Sequence, residues 1–279
     1  MGVPPPDNHV HSEWSWDALA GSMEHTCRRA VELGLPAVAF TEHADFTPWT
    51  LPPGVAVPPE WRDFVTDSVL TAPPVDVNGY LECLERCRER YPELRVISGV
   101  ELSEPHWHPT QAADLLESGQ VERVLASVHS APTADGHGFT EVSDRYADQS
   151  PGEVVRAYLA ETVRLIEQFS RFEILAHIDY PIRHWPAGAR PYDPCEFEEE
   201  YRYVLHLLAA AGKTLEVNTR VPLHPEVLGW WRQEGGRTIT FASDAHEPDA
   251  LARGFREASR IAKAAGFREG GGPLDFWRR

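Results

Sequence analysis

Short apolar segments rich in β-branched residues alternate along the chain with longer segments of helical periodicity. The short segments predict strands at 7–11, 36–42, 94–101, 121–129, 172–178, 214–219 and 238–244. The longer segments predict helices near 17–33, 78–91, 109–118, 151–169, 194–211, 224–234 and 248–266. Strands that are each followed by a helix predict an α/β fold with a largely parallel sheet, either a closed barrel or an open doubly wound sheet.

Two long stretches interrupt this alternation. Residues 46–77 are rich in proline and follow the second predicted strand, and residues 131–150 are rich in Gly, Asp and Ser and follow the fourth. Long loops inside a compact domain are usually either functional or disordered. Because both stretches leave the carboxyl end of a strand, we expect them to be lids over a site, within a single domain that spans residues 1–279.

The composition limits the classes of protein to consider. With 42% hydrophobic and 25% charged residues, the chain of 279 residues is typical of a folded enzyme-sized domain. Neither an N-terminal signal nor an apolar run of about 20 residues is visible, so we expect a cytoplasmic protein without a membrane partner. A net charge of −17 argues against nucleic acid as a partner, because that needs a cationic face.

Histidines and acids stand at the ends of the predicted strands. His9 and His11 form an H-x-H pair on the first strand, where both side chains point to the same face. Five of the other strands end in a further set of histidines and carboxylates, namely Glu42 with His43, Glu101, His129, His177, and Asp244 with His246. In α/β barrels, the carboxyl ends of the strands are where active sites are built.

This set of side chains is too large for one tetrahedral zinc ion, which takes three or four ligands. The sequence therefore predicts a centre of two or three divalent metal ions, with Glu101 as the natural bridging carboxylate. Imidazole and carboxylate suit Zn, Mn and Fe alike. An amidohydrolase-type metal hydrolase is an alternative, but many of those enzymes bridge their metals through a carboxylated lysine. Lys213 and Lys263, the two lysines of the chain, both lie away from the strand ends.

The order of the motifs resembles the polymerase and histidinol phosphatase (PHP) superfamily, in particular its histidinol-phosphatase-like branch. The motifs are DNHVHS followed by Asp17, then TEHADF, GVE, SVH, AHIDYP, LEVNT and ASDAH, which together span residues 7 to about 256. The resemblance implies a distorted (β/α)7 barrel, similar to a TIM barrel, that carries a three-metal centre.

The resemblance also implies a division of the ligands among three metal ions. The first ion takes His9, His11, Glu101 and Asp244, the second takes Glu101, His129 and His177, and the third takes Asp17, His43 and His246. No ligand position is empty, so we expect a catalytically active protein. We expect Glu101, Asp244 and His246 to take part in catalysis as well.

The chemistry implied is hydrolysis of a small phosphate monoester, with L-histidinol phosphate as the first substrate to test. Metal ions held in the predicted centre would supply a nucleophilic water near neutral pH for in-line attack on the phosphoryl group. Arg183 and Arg220 are candidates to hold the phosphoryl oxygens, because a guanidinium matches phosphate geometry.

The sequence departs from the histidinol-phosphatase pattern after its sixth strand. Relatives commonly continue with N-T-S-G and a basic residue, whereas this chain reads NTRVPLHPE, so Arg220 or His224 would replace the missing contact. A second H-x-H in EPHWHPT offers His106 and His108 as further substrate contacts. The alternatives that stay open are a nucleotide or sugar phosphate as substrate and a non-catalytic metal-binding domain.

Overall fold

A closed barrel of parallel strands forms the centre of the molecule. The computed structural model describes residues 3–117 and 120–279. In this part of the chain, seven parallel strands pair in sequence order, and the last pairs with the first. They are β1 (Asp7–Val10), β2 (Ala37–Ala44), β3 (Arg95–Ser103), β4 (Arg123–Ser127), β5 (Ile174–Leu175), β6 (Thr214–Asn218) and β7 (Thr238–Ala242). The predicted α/β class is confirmed, and the sheet is a closed barrel rather than an open one.

Helices surround the barrel. Across the described residues they are α1 (Met23–Leu33), α2 (Val77–Arg90), α3 (Pro109–Glu117), α4 (Pro151–Gln168), α5 (Glu198–Ala210), α6 (Pro225–Gln233) and α7 (Phe255–Ala264). Their order agrees with the predicted order. Ser118, the last residue of the helix predicted over 109–118, lies outside the described residues.

Three helices begin later than the periodicity predicts. The Ser22 side chain accepts a hydrogen bond from the backbone N of His25 and so begins α1 at Met23 rather than near residue 17. Residues 17–22, which include Asp17, instead form turns next to the barrel rim. Similarly, short 3₁₀ turns at Pro194–Phe197 and Pro248–Ala250 precede α5 and α7.

Apolar side chains between the barrel and the helices form the core. Trp231, Tyr201, Phe40, Phe197 and Phe241 are among its largest fully buried side chains. Burying such a side chain contributes about 1.5–3 kcal/mol relative to leaving it in water.

The inner face of β2 shows how the barrel separates its core from its site. Alternate residues of a strand share one face, so Ala37, Ala39 and His43 point the same way. Ala37 and Ala39 pack with Ile97 of β3 in a small apolar cluster, and His43 follows at the carboxyl end. The interior is therefore apolar towards the start of these strands and polar at their ends.

The two long stretches predicted as lids contain short strands that pair with one another. Trp49–Thr50, Val65–Thr66 and Val69–Leu70 come from the first stretch, Phe139–Glu141 comes from the second, and Ser130–Pro132 begins one residue before the second. Together they form a separate five-stranded sheet. That these segments move as lids stays a prediction.

A further strand, Trp277–Arg278, pairs antiparallel with the start of β7, and the adjacent Phe276 packs against Leu125, Ile174 and Ala176. None of the helices in the described ranges is long and apolar enough to cross a membrane.

Candidate metal centre

The predicted ligands converge at the carboxyl ends of the barrel strands. His43 on β2 lies opposite Glu101 on β3 in the sheet register. The side chains of His9, His11 and Glu101 are almost completely buried. Those of Asp17 and His246 lie nearer the surface, each with 21% exposure. Burial of so many polar groups in one place is costly unless they share a partner.

A first group of donor atoms comes from β1, β3 and the loop after β7. The Nε2 atoms of His9 and His11 lie 3.0 Å apart. Glu101 Oε2 is 3.0 Å from His9 Nε2 and 3.4 Å from His11 Nε2. Asp244 Oδ1 is 3.9 Å and 3.5 Å from the same two nitrogens. Asp244 has φ 52°, a left-handed conformation that is uncommon for residues other than glycine and that is found at functional sites.

A second group uses the other oxygen of the same glutamate. Glu101 Oε1 is 2.8 Å from His177 Nε2 and 3.4 Å from His129 Nε2. The two imidazole nitrogens are 3.3 Å apart. Glu101 therefore directs one carboxylate oxygen at each group, which is the arrangement of a bridging ligand.

A third group lies closer to the surface. Asp17 Oδ2 is 3.4 Å from His43 Nε2 and 3.2 Å from His246 Nε2. The ring of His11 stacks against that of His43 at 4.1 Å between centroids, which places this group next to the first. The structure thus brings together every residue of the predicted ligand set.

The spacing of these atoms fits divalent metal ions. Ligands that lie 2.0–2.1 Å from one tetrahedral ion are about 3.3 Å from each other, close to the separations within each group. Two facing imidazole nitrogens with free lone pairs repel one another, and a cation between them satisfies both. Asp17 Oδ1 and the Nδ1 atoms of His43 and His177 are also buried without a hydrogen-bond partner within the described ranges.

The imidazoles of His9, His11 and His129 are each held through Nδ1, so that Nε2 faces the centre. His9 Nδ1 lies 2.8 Å from Glu216 Oε2. His11 Nδ1 lies 3.0 Å from Ser15 Oγ, which donates to Glu42 Oε2 at 2.6 Å.

His129 has an equivalent partner. Its Nδ1 lies 2.8 Å from Ser103 Oγ, and Ser103 donates to Asp45. A carboxylate behind a histidine, reached directly or through a hydroxyl, fixes the imidazole tautomer in metal sites.

Sequence reasoning missed these supporting carboxylates. Asp45 stands two residues after His43, and its side chain groups with those of His43 and His129 as a further possible ligand. Glu216 is a charged residue in the buried strand β6, and a charge in such a strand is the sequence signal that could have identified it as a supporting residue. Glu42 was noted only as a neighbour of His43.

The electrostatics of the centre favour positive charge. Burial alone raises the pKa of Glu101, but His9 and His129 hold this pKa well below its usual range. Burial opposes the charged form of His9, yet Glu101 and Glu216 raise the pKa of His9 well above its usual value. Burial lowers the pKa of His11, and the nearby imidazoles His43 and His246 lower it further. The protein therefore keeps ionised carboxylates in this centre, and these attract cations.

A cavity of about 570 Å³ opens directly above the centre. Glu101, His129, Asp244 and His246 are among the residues that line it. Such a volume accommodates a small ligand.

Two predicted substrate contacts line this cavity. Arg183 is largely buried, forms an ion pair with Asp244, and lies over the ring of Tyr180 at 4.8 Å. Arg220 is half-exposed, with Nη1 3.5 Å from Asp244 Oδ1 and 3.2 Å from His246 Nδ1. Both guanidinium groups therefore stand next to the first group of ligands.

The three histidines predicted as further substrate contacts are not among the residues that line the cavity. His106 Nε2 is 2.7 Å from Glu161 of α4, and His108 Nε2 is 2.8 Å from Thr47 Oγ1. The exposed His224 precedes α6, where its Nδ1 accepts from the backbone N of Glu226. The structure gives these histidines local hydrogen-bonding roles and does not bring them to the predicted ligands.

Comparison with known proteins identifies the family. Residues 7–220 match the model of the PHP domain. The chain therefore belongs to the PHP family, as the order of its motifs predicts.

Individual relatives agree with this assignment. The chain is 25% identical over 271 residues to the histidinol-phosphatase of Lactococcus lactis subsp. lactis strain IL1403, which covers 94% of this chain and 92% of the relative. It is also 32% identical over 149 residues to a Thermotoga maritima protein named "Probable histidinol-phosphatase", which covers 50% of this chain and 61% of that protein.

A solved structure shares the fold along the whole chain. It is the crystal structure of histidinol phosphate phosphatase from Lactococcus lactis with zinc, L-histidinol and phosphate bound. The TM-score is 0.80 at 22% identity, and the match covers 99% of each chain. The PHP-type barrel architecture is thereby confirmed.

Proposed function

We propose that this protein is a metal-dependent phosphatase that hydrolyses a small phosphate monoester, with L-histidinol phosphate as its substrate. The observation that carries the proposal is the position of Glu101, whose two oxygens serve two sets of imidazoles. The similarity to the Lactococcus histidinol-phosphatase extends over nearly the full length of both chains and supports this choice of substrate.

We assign two or three divalent ions to the centre. His9, His11, Glu101 and Asp244 would hold the first ion, Glu101, His129 and His177 the second, and Asp17, His43 and His246 the third. Zinc is the first candidate because the Lactococcus enzyme binds it, and Mn and Fe suit the same ligands. When bound, such ions supply Lewis acidity, which activates water near neutral pH and neutralises charge on a phosphoryl group.

The protein's own groups would orient the ester. Arg183 and Arg220 lie at the side of the first ligand group and would hold phosphoryl oxygens through charge-assisted hydrogen bonds. Asp244 contacts both arginines and faces the cavity, so its carboxylate is placed to orient the attacking water. Glu101, Asp244 and His246 are the residues that we propose to act in the chemistry, because all three reach the cavity.

The enclosure of the site favours a small substrate. The sheet formed by residues from 46–77 and 131–150 supplies Trp49, Leu70 and Glu141 to the cavity wall. The net charge of −17 adds to this argument, because a nucleic-acid strand needs a cationic track. We therefore propose that both segments cover a small ester and act as the lids that the sequence predicts.

The test is a phosphate-release screen of the purified protein after its metal content has been measured. Histidinol phosphate, nucleotides and sugar phosphates are compared. Phosphate release from histidinol phosphate that a chelator abolishes and zinc restores is the expected result. His177→Asn should remove activity, while His206→Asn, a control at an imidazole with 62% exposure on α5, should not. A fully metal-loaded protein that releases phosphate from no ester would refute the proposal and favour a non-catalytic metal-binding domain.

A further inference from the structure

Two carboxylates in the cavity wall have no part in the metal centre. Glu141 and Asp144 both line the cavity and belong to the segment 131–150. Glu141 Oε2 accepts from the backbone N of Ser143 at 2.9 Å. Glu141 Oε1 is buried and makes no hydrogen bond of normal geometry among the described residues, although the side chain of Tyr180, which also lines the cavity, lies beside this carboxylate. Asp144 accepts from the hydroxyl of Thr140.

Three indole rings form an aromatic wall in the same cavity. Trp16 lies 4.9 Å from Trp61 and 6.0 Å from Trp49 between ring centroids. The Nε1 atoms of Trp16 and Trp49 donate to Asp45 and to Ser130, each at 2.7 Å. Nε1 of Trp61 is buried without an acceptor among the described residues. The wall therefore offers one free donor beside aromatic faces that attract cations.

This charge distribution conflicts with an ester that is only anionic. Arg183 and Arg220 would draw a phosphate into the cavity, whereas the carboxylates of Glu141 and Asp144 repel it. The conflict disappears if the ester carries a positive charge of its own. An ammonium or imidazolium group would satisfy Glu141 Oε1 and could lie against the indole faces.

We propose that Glu141 and Trp61 form a leaving-group subsite that selects phosphate esters of amino alcohols over esters with a neutral leaving group. The proposal rests on the phosphatase function given above and adds the residues that would read the leaving group. The carboxylate of Glu141 would accept hydrogen bonds from a cationic amine, and Nε1 of Trp61 would donate to an acceptor such as an unprotonated ring nitrogen. The residues of the metal centre, together with Arg183 and Arg220, would bind only the phosphoryl group.

The experiment compares two esters in the metal-loaded enzyme, namely L-histidinol phosphate and p-nitrophenyl phosphate. Glu141→Gln keeps the shape of the side chain but removes its charge. Hydrogen bonds to charged groups are among the stronger ones, so KM for histidinol phosphate should rise on the order of 10- to 100-fold with little change in kcat. KM for p-nitrophenyl phosphate should stay the same or fall. Trp61→Phe should raise KM for histidinol phosphate alone, by a smaller factor.

The control is Asp135→Asn, which removes the same charge from an exposed position in the same segment. This variant should leave KM for both esters unchanged. An equal rise in KM for both esters in Glu141→Gln, or no rise for either, would overturn the subsite. If the wild type hydrolyses no ester, the phosphatase function fails instead. Calorimetric binding of L-histidinol to wild type and Glu141→Gln then tests the subsite by itself, and equal affinity would overturn it.

Discussion

The carboxylate of Glu216 is positioned to hold a proton on Nδ1 of His9. Its Oε2 faces His9 Nδ1 at 2.8 Å, while Oε1 accepts from the backbone N of His177 at 3.0 Å and from Asn218 Nδ2 at 2.8 Å. Glu216→Gln has nearly the same shape but one acceptor oxygen. Two donors face the Oε1 position, so the glutamine oxygen should remain there and the glutamine NH₂ should face His9. Nδ1 of His9 must then accept, which puts its proton on Nε2, the atom that points at the metal centre.

The size of the effect follows from this change of tautomer. Loss of a carboxylate behind a metal-binding histidine typically costs 10- to 100-fold in metal affinity or activity. This corresponds to about 1.4–2.7 kcal/mol. The hydrogen bonds to His177 and Asn218 should be kept in the variant, so the strands around the centre should stay in place. The main loss should therefore appear in metal binding rather than in the fold around the centre.

Competition with a chromophoric chelator measures zinc affinity, and elemental analysis after dialysis gives the metal content. Glu161→Gln is the matched control, because Glu161 of α4 is a largely buried carboxylate that pairs with His106 and not with the centre. Zinc affinity equal to that of the wild type in Glu216→Gln would refute the reasoning. An equal loss in Glu161→Gln would show that the effect is not specific to His9.

Three further predictions concern Glu101, Arg220 and a pair of glycines. Glu101→Gln should lower the metal content and abolish phosphate release, because an amide cannot serve both ligand groups, and unchanged turnover would exclude the bridging role. Arg220→Ala should raise KM for phosphate esters, and identical kinetics would remove it from the phosphate site. Gly236→Ala should destabilise the fold by about 1–3 kcal/mol in thermal melts, because its Cβ would lie 2.0 Å from Trp231. Gly229→Ala, with open space in α6, should instead stabilise it by about 0.5–1 kcal/mol, and equal melting shifts would contradict this packing argument.

The alternation of strands and helices was readable without coordinates because each element has its own hydrophobic period. The ligand set was readable for a related reason. Parallel strands of a barrel bring their carboxyl ends to one rim, so polar residues at strand ends such as His43, Glu101 and His177 must approach one another. The spacing of His9 and His11 on one strand face fixes their common direction in the same way. These features depend on local pattern and on the topology that the pattern implies.

Only the tertiary structure determined which carboxylates support the ligand histidines and which predicted residues lie away from the site. Glu216 meets His9 across 207 positions of sequence, and no local period records such a contact. The pairing of the two long segments into one sheet, which brings Glu141 and Trp61 to the cavity, is equally non-local. The second H-x-H motif illustrates the converse, because a loop has no fixed side-chain direction: His106 turns towards Glu161 of α4, and His108 turns towards Thr47. Side-chain partners in loops and between distant strands are set by packing, and packing becomes known only when the chain is folded.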